Sequence, residues 1–240
     1  FHYMIKAGMN LHKCNYEEVE KSVNNSFELL YRNEFKERKY FIELKLNLIL
    51  GEAYLHQGKY NEANPLLESC FRYRNEFPLP IDKFYSLKNF GLLCNRIGDF
   101  EQAKICFQEA LNLESSLDKH WLRLISYFYP KKGFSGKRFS EILNYEILET
   151  RKELAWSLQN LNKEEEAIGQ LDKTIGTTDT LLNIFRKYGI ASLYHYQNNL
   201  ESSNSYLDSV IEISRIYNKK IEMEEERSHR YSAHKIALSK

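Results

Sequence analysis

Two stretches of this chain are copies of each other set 40 residues apart, and that self-similarity restricts the fold more than any other feature. Residues 50–71 read LGEAYLHQGKYNEANPLLESCF and residues 90–111 read FGLLCNRIGDFEQAKICFQEAL. Gly51 aligns with Gly91, Gly58 with Gly98, Tyr60 with Phe100, Ala63 with Ala103, Leu67 with Phe107 and Cys70 with Ala110, each pair 40 residues apart. Apolar residues recur at three- and four-residue steps, as in Leu48, Tyr54 and Leu55 and then Leu66, Leu67, Cys70 and Phe71, which predicts amphipathic helices. Gly58 and Gly98 fall where a left-handed residue ends a first helix. Small residues such as Gly51 and Ala63 let a second helix return close alongside. One such hairpin cannot bury its apolar face alone, so neighbouring hairpins must stack.

These residues resemble the tetratricopeptide repeat, whose pattern places L-G-x2-Y in the first helix and A-x3-F-x2-A in the second. Leu50-Gly51-x2-Tyr54 and Ala103-x3-Phe107-x2-Ala110 carry the match. The resemblance implies an all-α superhelix of helix hairpins, with repeats longer than the family's usual length of about 34 residues. Weaker copies extend the array. Tyr16-x2-Val19-x3-Val23-x2-Ser26-Phe27 follows a first helix over residues 1–12. Leu154-Ala155-x2-Leu158 leads to Ala167-x3-Leu171-x2-Thr174, and Ile190-Ala191-x2-Tyr194 leads to Ser203-x3-Leu207-x2-Val210. Positions 19, 63, 103, 167 and 203 are equivalent, which gives about five repeats over residues 1–217. The widest gap holds YPKKGFSGKRFS at residues 129–140, expected as a loop, between an apolar helix over 120–129 and a long helix over 140–160. Residues 218–240 read as a charged capping or connecting helix. Because the first residue is Phe1, the chain is expected to be part of a longer protein.

Composition narrows the chemistry. Only 10 Gly and 4 Pro in 240 residues favour long helices with short connections. The 34 Lys and Arg nearly cancel the 33 Asp and Glu, so the net basic charge that releases counterions from phosphates is missing, and direct nucleic-acid binding is not expected. No run of apolar residues is long enough to span a membrane. Cys14, Cys70, Cys94 and Cys106 form no CxxC pair and no zinc spacing. The last three lie on apolar helix faces, where cysteine packs as a small hydrophobe, consistent with a reducing cytoplasm.

Catalytic motifs do not assemble. Gly133-Phe134-Ser135-Gly136-Lys137 has neither the spacing nor the Ser or Thr of a phosphate-binding loop, since Arg138 stands in that place and no strand precedes it. The same residues spell GxxG, but the strands of a KH domain are absent. His229 and His234 are five apart and share no helix face, and Glu224, Glu225 and Glu226 read as a solvated surface. The chain is therefore expected to be neither an enzyme nor a cofactor or metal carrier.

Binding is the function the pattern favours. In the tetratricopeptide family the first helices line a concave groove. Aligning Gly51, Gly91, Ala155 and Ala191 assigns to it Lys45, Glu52, Leu55 and His56; then Tyr85, Lys88, Asn89, Asn95 and Arg96; then Lys152, Trp156, Gln159 and Asn160; then Tyr188, Ser192, His195 and Tyr196. Amides can pair with a peptide backbone and aromatic rings supply flat anchors, while Lys88, Arg96 and Lys152 could hold a carboxylate. Lys88 and Asn89 match part of the carboxylate clamp of the co-chaperone members, but Leu48, Glu52 and Lys152 do not complete it. In style the chain is similar to the sensor region of bacterial peptide-responsive regulators. The expected partner is a protein or short peptide, with a homodimer open; a static scaffold for a multiprotein complex is the alternative.

Overall fold

The computed structural model describes residues 2–32, 39–117, 136–172 and 180–237. All regular structure among them is helical: α1 (His2–His12), α2 (Tyr16–Arg32), α3 (Lys39–His56), α4 (Tyr60–Arg72), a 3-10 turn at Arg74–Glu76, α5 (Pro80–Ile97), α6 (Phe100–Leu111), α7 (Gly136–Asn160), α8 (Glu164–Asp172), α9 (Thr180–Tyr196) and α10 (Leu200–Ala237). The chain divides into two compact units, Phe1–Lys163 with α1 to α7 and Glu164–Lys240 with α8 to α10. The helix expected over 120–129 lies outside the described residues.

One local device sets the repeat. Cys14, Gly58, Gly98, Asn162 and Asn198 all have positive φ, at 55°, 72°, 87°, 58° and 55°. Each ends a first helix. In every case the amide of the next residue reaches back five positions: Asn15 to Asn10, Lys59 to Tyr54, Asp99 to Cys94, Lys163 to Leu158 and Asn199 to Tyr194, each at 2.9 Å. This is the Schellman arrangement, which satisfies the orphan carbonyls of the last turn and reverses the chain. Each left-handed residue stands five before Val19, Ala63, Ala103, Ala167 or Ser203, all of them buried. The five-repeat register read from the side chains therefore coincides with the backbone turns. Where glycine is missing, asparagine takes the left-handed turn twice and cysteine once, without a glycine signature to mark them.

Packing follows from the same register. Within the first unit α1 pairs with α2, α3 with α4 and α5 with α6; each second helix then packs on the next first helix, and α1, α3, α5 and α7 touch in succession. That is a stack of hairpins. A Cβ on Gly51 would lie 2.7 Å from Leu67 Cδ2, and one on Gly91 would lie 2.8 Å from Phe107 Cε1. The glycines are notches filled by the second helix, and the larger Phe107 compensates where the partner hairpin has leucine. In the second unit Ser203 takes the small-residue place and donates its Oγ to the Ala191 carbonyl at 2.9 Å. Between hairpins, Phe71 of α4 stacks on Phe90 of α5 with ring centroids 4.7 Å apart. Ile81, Phe84, Leu87, Ala110, Leu117, Leu143 and Ile147 join α5, α6 and α7 in one buried cluster.

Helix lengths explain the long period, and one helix start departs from expectation. First helices α3 and α5 are 18 residues long, and with the 3-10 turn before α5 they account for the 40-residue period. Helix α7 begins at Gly136, a turn before the expected start, so the expected loop over 129–140 loses its last residues to helix. Residues 218–237 continue α10 without a break, because no Gly or Pro interrupts the 38-residue segment.

Two outcomes test this account. Gly98→Ala places a side chain at a φ of 87° and should lower unfolding free energy by about 1–2 kcal/mol, whereas Asn198→Gly should raise it; chemical denaturation of both variants measures the pair. Gly91→Ala should destabilise the chain, and adding Phe107→Ala should cost less than the sum of the two single changes, because the smaller side chain removes the collision with the new methyl.

Candidate functional site

The outward side of the first helices is fixed by register. Relative to the small residue at each crossing (Gly51, Gly91, Ala155), positions six and three before and one and five after share one helix face. On α3 these are Lys45, Leu48, Glu52 and His56; on α5 Tyr85, Lys88, Leu92 and Arg96; on α7 Glu149, Lys152, Trp156 and Asn160. Leu48 and Lys88 are buried, His56, Arg96 and Asn160 exposed, and the others half-buried. Leu92 and Glu149 escaped the sequence reading although they occupy this register. Leu55, Asn95 and Gln159 stand on a different line of the helix. Leu55 and Asn95 are buried, and Asn95 bonds across to α7; Gln159 is half-buried, its Oε1 buried without a hydrogen-bond partner.

The polar groups of this face are largely bonded to one another. Lys88, 5% exposed, lies between two carboxylates of α7, with Nζ 2.5 Å from Glu146 Oε2 and 3.2 Å from Glu149 Oε2. Glu149 also faces Lys152 at 3.6 Å. Asn89 donates to Glu52 Oε2 at 2.8 Å, and His56 Nε2 lies 3.8 Å from Glu52 Oε1. Asn95 Nδ2 donates to the Glu153 carbonyl at 3.1 Å and to Glu153 Oε2 at 3.2 Å, while Ser157 Oγ donates to Asn95 Oδ1 at 2.7 Å. Arg96 reaches Glu153 Oε1 at 3.5 Å, and Lys45 reaches Asp82 at 3.2 Å. The three cations that the sequence offered to a ligand carboxylate, Lys88, Arg96 and Lys152, each already face one from the chain itself. Sequence reading missed Glu146, Glu149 and Glu153 because a carboxylate on a long helix reads as solvated surface until the neighbouring helix is placed.

Titration follows these contacts. Burial alone would lower the Lys88 ammonium, but the attraction of Glu146 and Glu149 outweighs it and holds the group above its ordinary value. Burial would raise Glu149, yet Lys88 and Lys152 bring it below the ordinary carboxylate value. The hydrogen bond to Glu52 raises His56. By contrast, burial pushes the Cys70 and Cys94 thiols up to about 12 and Cys106 to about 11, so these cysteines are packed, protonated side chains.

In the second unit α9 carries the remaining expected residues. Tyr188 and His195 are exposed; Ser192 is half-buried and donates its Oγ to the Tyr188 carbonyl at 3.0 Å. Among the described residues no group of three or more His, Cys, Asp or Glu is placed to hold a metal ion, and no described helix is long and apolar enough to cross a membrane.

The seam around Lys88 gives a direct test. Lys88→Ala leaves two half-buried carboxylates, Glu146 and Glu149, without their shared cation and should destabilise the chain by about 1–3 kcal/mol at neutral pH. A carboxylate held low in the fold stabilises above its unfolded value and loses that contribution as pH falls through the folded one. Acid titration of stability below an ordinary carboxylate value of 4.5 should therefore show a shallower decline for Glu149→Gln than for the parent chain.

Comparison with known proteins agrees with this architecture. Residues 87–116, from within α5 past the end of α6, match the family described as Tetratricopeptide repeat. No curated protein matches the chain in sequence. Nearly identical TPR-like repeats of a kinesin-light-chain-type protein from Podosopora anserina are similar in structure. A singly substituted form superimposes with a TM-score of 0.62 at 13% identity, covering 91% of this chain and 95% of that one. Another form gives 0.59 at 13% identity, covering 89% and 93%. At that identity the likeness concerns the fold. With the five left-handed turns and the notched crossings, it shows that the chain has the fold of a tetratricopeptide-type helical repeat.

Proposed function

We propose that the outward face of α3, α5 and α7 holds a peptide or an extended segment of a partner protein, and that the chain is the sensing or interaction part of a larger regulatory protein. The observation that carries this reading is the pair Leu92 and Trp156. They occupy the same register on neighbouring first helices and are half-buried, amid Glu52, His56, Arg96, Lys152 and Asn160. A large apolar contact ringed by polar groups is the usual anatomy of a recognition patch, with the aromatic as its anchor.

The ion pairs refine what such a ligand offers. To capture a ligand carboxylate, Lys88, Arg96 or Lys152 would have to release a carboxylate of the chain, and the exchange gains little. An apolar side chain seated beside Leu92 and Trp156, with backbone groups meeting the amides and carboxylates around them, displaces no carboxylate of the chain from Lys88, Arg96 or Lys152. The prior bonding of Glu52, Glu149 and Glu153 fixes their rotamers before the ligand arrives, which reduces the entropy lost on binding. Because stacked hairpins contact only their neighbours, a ligand bridging several first helices can change their pitch, and a second domain could read that change.

Peptides selected from a random display library on the 240-residue chain provide the test. Trp156→Ala and Leu92→Ala should each weaken the selected peptides by about tenfold or more, equivalent to roughly 1.4 kcal/mol, with helicity by circular dichroism unchanged. Equal affinity for parent and variants would reject the face as the site. Small-angle scattering should show the chain altering its dimensions when peptide is added; unchanged dimensions with binding intact would favour a static scaffold.

A further inference from the structure

The charges on the first-helix face nearly cancel, and pairing them off leaves one carboxylate over. Lys45 offsets Asp82, and Arg96 offsets Glu153. Lys88 and Lys152 together offset Glu146 and Glu149. Glu52 remains. Among the described residues no lysine or arginine forms an ion pair with it. Its basic neighbour is instead the exposed imidazole of His56, 3.8 Å from Oε1, which is fully charged only in acid. The field of Glu52 also reaches Lys88, where it adds to those of Glu146 and Glu149.

Glu52 is nonetheless held in place. Asn89 donates to its Oε2 at 2.8 Å, and the side chain is 22% exposed, so the carboxylate is partly stripped of water yet open to a ligand. It stands at the register of Leu92 and Trp156. One place after the small crossing residue, α3 presents an acid where α5 and α7 present apolar groups. Neighbouring packed helices lie about 8–10 Å apart. A peptide in the polyproline II conformation turns the same side to a surface every third residue and advances about 9 Å in doing so. Side chains spaced by three can therefore meet Glu52, Leu92 and Trp156 in turn.

We infer that the ligand of this face is an extended peptide carrying a basic side chain, received by Glu52, with apolar side chains about three and six residues away received by Leu92 and Trp156. This rests on the peptide-binding reading of the face and adds the charge that the ligand bears. A ligand ammonium or guanidinium at Glu52 completes the charge balance and gains a charge-assisted hydrogen bond without parting any ion pair of the chain. An acidic side chain there would add to the surplus of negative charge and leave a half-buried carboxylate uncompensated.

The probes are the peptides selected from a random display library on the 240-residue chain. They should share a Lys or Arg with apolar residues about three and six positions away. Glu52→Gln keeps an acceptor for Asn89 and removes the charge, so it should weaken these peptides about tenfold with helicity unchanged. Glu62→Gln, the same charge change on the return helix α4, should leave their affinity at the parental value. Selection repeated on Glu52→Lys should replace the basic residue by Asp or Glu. Equal affinity of Glu52→Gln and the parent for peptides that Trp156→Ala loses would overturn the inference and leave the peptide-binding reading standing. Peptides that Trp156→Ala also leaves bound would remove that reading, and this inference with it.

Discussion

The close crossing of each first helix with its return helix is the interaction on which the other contacts depend. At Gly51 and Gly91 the approach is so tight that a methyl group would collide with Leu67 or Phe107. Helices α1 and α9 carry Ala7 and Ala191 in the same register, both buried. Such a crossing requires a sharp reversal a few residues away, and the left-handed residue with its backward amide bond supplies it. Once turn and crossing are fixed, the outer faces of each hairpin are apolar in a set register, and stacking follows as the way to cover them.

That scaffold leaves the exposed side of the first helices free to vary, and here it has become a network of charges and amides. Such a network is a poor source of stability, because desolvation offsets most of the attraction between buried ions. Its effect lies in specificity. Lys88, Asn89 and Asn95 each bond to a group on a neighbouring first helix, so the angle between hairpins is linked to the state of the face they present. A molecule that contacts this face meets groups already held in place.

The fold was almost wholly legible before any coordinates. The 40-residue copy of Gly51, Gly58, Ala63 and Leu67 specified hairpins, and the weaker copies at Val19, Ala167 and Ser203 fell in the correct register because small or apolar residues at a helix crossing leave a pattern whatever surrounds them. Cys14, Asn162 and Asn198 were not legible as turns, since these residue types adopt a left-handed backbone only when the flanking helices demand it. Element ends were legible only in part, and α7 starts at Gly136, about a turn before the expected residue 140.

The sequence by itself determined the class of fold, the number of repeats and which residues lie along the first helices, because helical periodicity and small-residue spacing are local properties. Tertiary structure alone decided which of those side chains remain available to a partner. Lys88 and Arg96 are cations in the sequence, but packing α5 beside α7 brings Glu146, Glu149 and Glu153 within reach and neutralises them. That outcome depends on distances between residues more than fifty positions apart, and no local pattern in the chain encodes them.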